Sequence, residues 1–211
     1  MIAGGMRFAA LLAALLTCLP PQVRAQSPAS PPAWDSAACP FLKDLDLTRF
    51  EPKALPAGVV SRGDDLIRRV RINLTPPRKF SAGRVVVVEF QGRARAPAVL
   101  AAFRSADGQW LLRASGPNIS LRTGRVVPQD LSRRLNEAVA NPCLFSEPAV
   151  APRSWPVRTS ELSLCADGAD TLINLALPPA EPRRLFHECG TRGAAGLVHR
   201  LLDEAAFGTG D

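Results

Sequence analysis

His187, Glu188 and Cys189 stand side by side in "LFHECG" (185–190). Residues of these types could form a thiolate with its base, a metal site, or one end of a disulfide. A Cys–His pair is nucleophilic only when the sulfur is free and the imidazole lowers its pKa. Such pairs usually meet from distant segments, not from positions two apart. In a strand, His187 and Cys189 would share one face and Glu188 would point the other way. The cysteine count weighs against catalysis. Cys18 lies in a leader segment, which leaves Cys39, Cys143, Cys165 and Cys189, an even set. In an exported chain an even set argues for two disulfides. Four cysteines allow three pairings, and sequence alone does not choose. We favour Cys165–Cys189, which bracket one short β segment, and Cys39–Cys143, which would staple the N-terminal arm to the end of a helix.

The other candidate constellations are sparse. His199 lies opposite a Leu197/Leu201 stripe on the last helix, with Asp203 one turn on, and reads as a surface pair. Zinc sites usually show close spacings such as Cys-x2-Cys or His-x3-His. The four cysteines are more than 20 residues apart and the two histidines 12, so no metal site is expected. There is no Gly-x-Ser-x-Gly elbow and no glycine-rich phosphate loop, so neither a catalytic serine nor a cofactor is expected. Asp64-Asp65 and the Asp167/Asp170 pair could do acid–base work if the fold brought carboxylates together. Both read more simply as turn residues. "RGD" (62–64) is a chance match in a chain rich in Arg and Gly, and "NLT" (73–75) and "NIS" (118–120) are sequons that matter only in a eukaryotic secretory pathway.

The elements that must position these residues begin after a targeting segment. Residues 1–25 carry Arg7, the apolar run "FAALLAALLTCL" and a small-residue site before Gln26, the pattern of a cleaved signal peptide. Residues 26–38 form a Pro/Ala/Ser leader, and 39–211 a single domain with halves at about 39–150 and 151–211. "FLKDLDLTRF" (41–50) suggests a short helix. "LIRRVRINL" (66–74) alternates like a strand, and "RVVVVEF" (84–90) reads as a central one. "AVLAAF" and "QWLLRAS" flank Asp107-Gly108, a hairpin signal. A helix is expected at 129–140, its stripe formed by Leu131, Leu135, Ala138 and Val139. A proline-rich connector follows. The second half repeats the order: "ELSLCADG" and "DTLINLAL" as a hairpin, "RRLFHEC" as a strand, and a helix over 193–207, with Thr191 as a candidate cap. The fold expected is α+β: an antiparallel sheet with two main helices packed on it and two disulfides, with a duplicated β-β-α unit as one reading of the repeated order.

Charge carries the functional expectation. From Arg49 to Arg134 there are 17 Arg and Lys against 6 Asp and Glu, a net of +11; from Leu135 to Asp211 there are 6 against 10, a net of −4. Arg69, Arg71, Arg93 and Arg95 are the candidate anion-binding residues. Few aromatics accompany them, and no nucleic-acid recognition motif is present. With 23 of 26 basic residues being Arg and no Tyr, the composition suggests a GC-rich bacterium. The expectation is an exported protein, periplasmic or secreted after cleavage at Ala25. It would bind an anionic envelope component or another exported protein without catalysis. The alternative is a hydrolase or transferase whose carboxylate site is assembled only in the fold.

Overall fold

The run Val85–Val88 explains the architecture. Four consecutive buried valines leave no polar face, so this strand must be covered on both sides. It becomes β1 (Gly83–Glu89), central in a sheet ordered β4-β3-β2-β1-β6-β7-β5. The computed structural model describes residues 39, 54–92, 96–151 and 169–208, and all of them belong to one compact unit, Trp34–Asp211. The signal segment and leader (1–38), the 41–50 helix and the strand in 161–168 lie outside the described residues.

Six strands run antiparallel: β1, β2 (Ala98–Arg104), β3 (Trp110–Gly116), β4 (Ile119–Val126), β6 (Thr171–Ala176) and β7 (Arg183–His187). The two-residue β5 (Val150–Ala151) adds to β7 in parallel. The β2–β3 hairpin turns at Asp107-Gly108, where Gly108 takes φ +82, a conformation that favours glycine. The Asn136 side chain clamps this turn, donating to the Gly108 carbonyl at 2.7 Å and accepting from Trp110 Nε1 at 3.0 Å.

Two cores flank the sheet. On one face Val85, Val87, Leu100, Leu112, Ile173 and Leu185 pack beneath α2 (Gln129–Val139) and α4 (Gly193–Phe207). These are the two main helices expected from periodicity. The short α3 (Cys143–Ser146) follows α2, and the Cys39–Cys143 disulfide ties the N-terminal arm to it. On the opposite face Val86, Val88, Phe103 and Phe186 pack beneath a further helix, α1 (Ala57–Val70), which buries Val59 and Leu66.

Helix α1 corrects the strand expected over 66–74. Leu66–Val70 is helical, with Arg71 at φ 54 ending it; Ile72–Leu74 follow it and join no strand. The alternation of Val70, Ile72 and Leu74 misled because it begins at a helix end. Asp64-Asp65 is consequently not a turn: Asp65 pairs with Arg68 within the helix. Nor is "RGD" a displayed loop. A Cβ on Gly63 would meet Leu172 Cδ2 at 2.7 Å, so the glycine lets α1 lie close on the sheet. Strand β4 was not expected either. Its side chains are mostly exposed, so no apolar alternation marks it, and its arginines suit its place at the edge of the sheet among the described residues.

Candidate functional site: a buried carboxylate–histidine cluster

Strand parity places polar residues in the core. Glu89 follows Val85 and Val87 on the α4 face, Thr171 precedes Ile173 and Leu175 there, and His187 follows Leu185. The register sets Glu89 beside Thr171 and Thr171 beside His187. A polar row thus crosses three strands at one end of the sheet. Glu89 is 3 %, Thr171 1 % and His187 1 % exposed. Buried ionisable groups are costly unless partnered, so what faces this row matters.

Helix α4 supplies the facing groups. His199 is 6 % exposed, which corrects the surface position expected for it. The buried arc of α4 is centred on Val198 and Leu202, not on Leu197, which is exposed. At 100° per residue this leaves His199 on the inner edge of the arc. Its Nε2 lies 3.1 Å from Glu89 Oε1 and 3.6 Å from Asp203 Oδ1. The Asp203 contact expected one turn away is present, but between a buried histidine and a partly buried carboxylate. His199 Nδ1 is 2.8 Å from Thr191 Oγ1. Thr191 is therefore not the helix cap: Arg192 occupies that position with no side-chain capping bond. The loop can fold back over the first turn of α4 because residue 196 is glycine; a Cβ there would meet the Thr191 backbone at 2.8 Å.

The cap comes from elsewhere. Glu147, just after α3, accepts hydrogen bonds from the Ala194 and Ala195 N–H groups, meeting donors that a helix N-terminus leaves unpaired. Arg183 holds this corner by donating to the Phe145 and Glu147 carbonyls. Burial pushes the Glu147 carboxyl up to about 7, against the opposing pull of the two N–H groups and Arg183. His187 Nε2 lies 3.9 Å from Glu147 Oε2. Burial, with lesser contributions from His199 and Arg192, pushes His187 down to about 4. Between these limits both groups are neutral, so their approach is not an ion pair. His187 Nδ1 accepts the Arg192 N–H at 3.4 Å, which places the ring proton on Nε2.

"LFHECG" therefore divides. The strand ends at His187. Cys189 sits beyond it at φ 66, its N–H donating to Asp170 Oδ1 at 3.2 Å, so the two do not share a strand face. Cys189 is disulfide-bonded and is no nucleophile. Cys165, its expected partner, lies outside the described residues, as do Asp167, Arg93 and Arg95. Arg69 and Arg71 are exposed at the C-terminal end of α1.

Beside the cluster a cleft of about 310 Å³ is lined by Glu89, Asp203, Glu204, Pro97, Ile119 and Phe207, among others. Glu89 and Asp203 thus belong to both the buried cluster and the cleft. Sequence reasoning missed Glu89, Glu147 and Thr171, although each strand-borne member shares parity with flanking apolar residues. Together these features define a disulfide-stapled α+β domain with two carboxylates and an imidazole gathered at one end of its sheet. Comparison of the chain with protein families, with curated proteins and with solved structures finds no match.

Proposed function

We propose that the protein is a small exported binding domain of a bacterial envelope, without catalytic activity, whose basic layer takes an anionic component or another exported protein. The carrying observation is the placement of Arg69 and Arg71: both are exposed at the C-terminal end of α1, whose inner side closes one face of the sheet. The helix is thus free to present charge outward. Arg93 and Arg95 belong to the same proposal. The signal peptide ending at Ala25 and a periplasmic or secreted location accompany it, and the Cys39–Cys143 bridge is compatible with an oxidising compartment. The Cys165–Cys189 pairing belongs to the same proposal, and the disulfide-bonded state of Cys189 supports it. Placement of α2 and α4 on the same face, each after a run of strands, supports the duplicated β-β-α unit.

The test is salt-dependent retention on phosphatidylglycerol vesicles. Each basic residue near an anionic surface contributes about 1 kcal/mol, so Arg69→Glu with Arg71→Glu should weaken retention at least about tenfold. A double reversal of Arg133 and Arg134 on α2, with the same net charge, should weaken it less. Equal loss in both variants would mean generic charge and would sink the proposal.

A second reading, a hydrolase or transferase using carboxylates united by the fold, is favoured by one observation. Glu89 and Asp203 converge with His199 beside a cleft large enough for a small organic group. Such an arrangement could move protons. Isosteric Asp203→Asn or Glu89→Gln would then abolish turnover while leaving vesicle retention unchanged.

A further inference from the structure

We propose that Glu89, His199 and Asp203 form a binding site for a divalent cation of the zinc type, with its open coordination positions facing the cleft. One atom from each residue, two carboxylate oxygens and an imidazole nitrogen, lies within 4.8 Å of the others. The His199 nitrogen stands 3.1 and 3.6 Å from the two oxygens. Metal–ligand bonds of about 2.0–2.2 Å at tetrahedral angles set neighbouring ligand atoms roughly 3.3–3.6 Å apart. Both distances from the histidine nitrogen are near that spacing.

The histidine supplies the independent argument. It is more than nine-tenths buried, and its Nε2 makes no hydrogen bond even though Glu89 Oε1 is 3.1 Å away; the two are misaligned for one. The other ring nitrogen is engaged by Thr191 Oγ1. A ligating histidine commonly donates its second N–H to an oxygen, which fixes the ring and raises the basicity of the ligating nitrogen. In the tautomer that would bind a cation, Nδ1–H donates to Thr191 Oγ1 and leaves the Nε2 lone pair for the ion. An imidazole nitrogen with two carboxylates suits zinc better than magnesium or calcium, which prefer oxygen alone. Three protein ligands leave room for water or a ligand donor, and the cleft borders the two carboxylates. Thr191 is a positioning residue. The site stands apart from the proposed basic face and implies no particular reaction.

The test is calorimetric titration of ZnCl2 into the full exported chain, stripped of metal by chelation, with MgCl2 as comparison. Wild type should take up one equivalent of zinc and show no comparable magnesium binding. Asp203→Asn and Glu89→Gln should each weaken zinc binding by at least about tenfold, and Thr191→Val by roughly 10- to 100-fold. His187→Gln, outside the ligand set, should bind zinc as wild type does. Should a ligand variant fail to fold by circular dichroism, nitrogen NMR of the wild type decides: zinc must shift His199 Nε2 and leave His187 Nε2 in place. No uptake by wild type, uptake insensitive to all three variants, or an unmoved His199 Nε2 would each overturn the site.

Discussion

Glu147 and His187 should give the protein two opposing pH dependences that nearly cancel. Glu147 is raised by burial from 4.5 to about 7. The folded state then holds a proton the unfolded state releases, so its contribution is full below 4.5 and is lost as pH rises through about 7. His187 is lowered by burial from 6.5 to about 4. Its contribution is full above 6.5 and is lost as pH falls through about 4. At about 1.4 kcal/mol per pH unit, each is worth about 3 kcal/mol across its window. Arg183 and the α4 N-terminus face Glu147, whereas Arg192 and His199 face His187. From 4.5 to 6.5 the two slopes run in opposite directions, and wild type should be level with respect to this pair. Glu147→Gln keeps the shape and an oxygen for the Ala194 and Ala195 N–H groups but removes the titration. Its stability should then rise by about 3 kcal/mol from pH 4 to 6.5 relative to wild type, because only the histidine slope remains. His187→Gln should show the mirror image, losing a similar amount between 4.5 and 7. Urea unfolding at half-unit pH steps, followed by circular dichroism, measures both. A difference curve between wild type and Glu147→Gln that stays flat over this range would refute the reasoning.

Two further outcomes follow from packing and covalent structure. The Cys39–Cys143 bridge spans a sequence separation of 104, so Cys39→Ser with Cys143→Ser should cost about 2–5 kcal/mol, read as a drop in urea midpoint under oxidising conditions. Leu135 is fully buried where α2 meets the sheet, and Leu135→Ala should cost about 2–5 kcal/mol; a loss below 1 kcal/mol would mean α2 is not fixed to the sheet as described.

Elements whose pattern reports burial directly were legible in the sequence. The valine run of β1, the Asp-Gly hairpin, and helices α2 and α4 all fall where local periodicity put them. Helix α1 was not. Six of its fourteen residues are Gly, Ser or Val, weak helix formers, and it starts after Pro56 with no capping side chain. Its helicity rests on Val59 and Leu66 docking on the second face of the sheet, a contact no local window contains. That missing layer also explains why Val86 and Val88 are as buried as Val85 and Val87: four valines announce two covered faces, while only two helices carried obvious stripes.

The candidate site escaped for a related reason. Its members come from β1 and the last helix, more than 100 residues apart, and the fold is what unites them. Yet each carries a local sign. Glu89 ends a buried strand with the parity of Val85 and Val87, and His199 lies between Ala195 and Leu202 on the inner arc of α4. A charged or ionisable side chain at an inward position is expensive, whereas an exposed carboxylate next to an arginine costs little and signifies little. Asp64, Asp65 and the triplet at 187–189 drew attention because they are adjacent in sequence, but adjacency places Asp64 and Asp65 on a helix surface and Cys189 in a disulfide. Inward parity, not adjacency, marks the residues this domain keeps at an energetic cost.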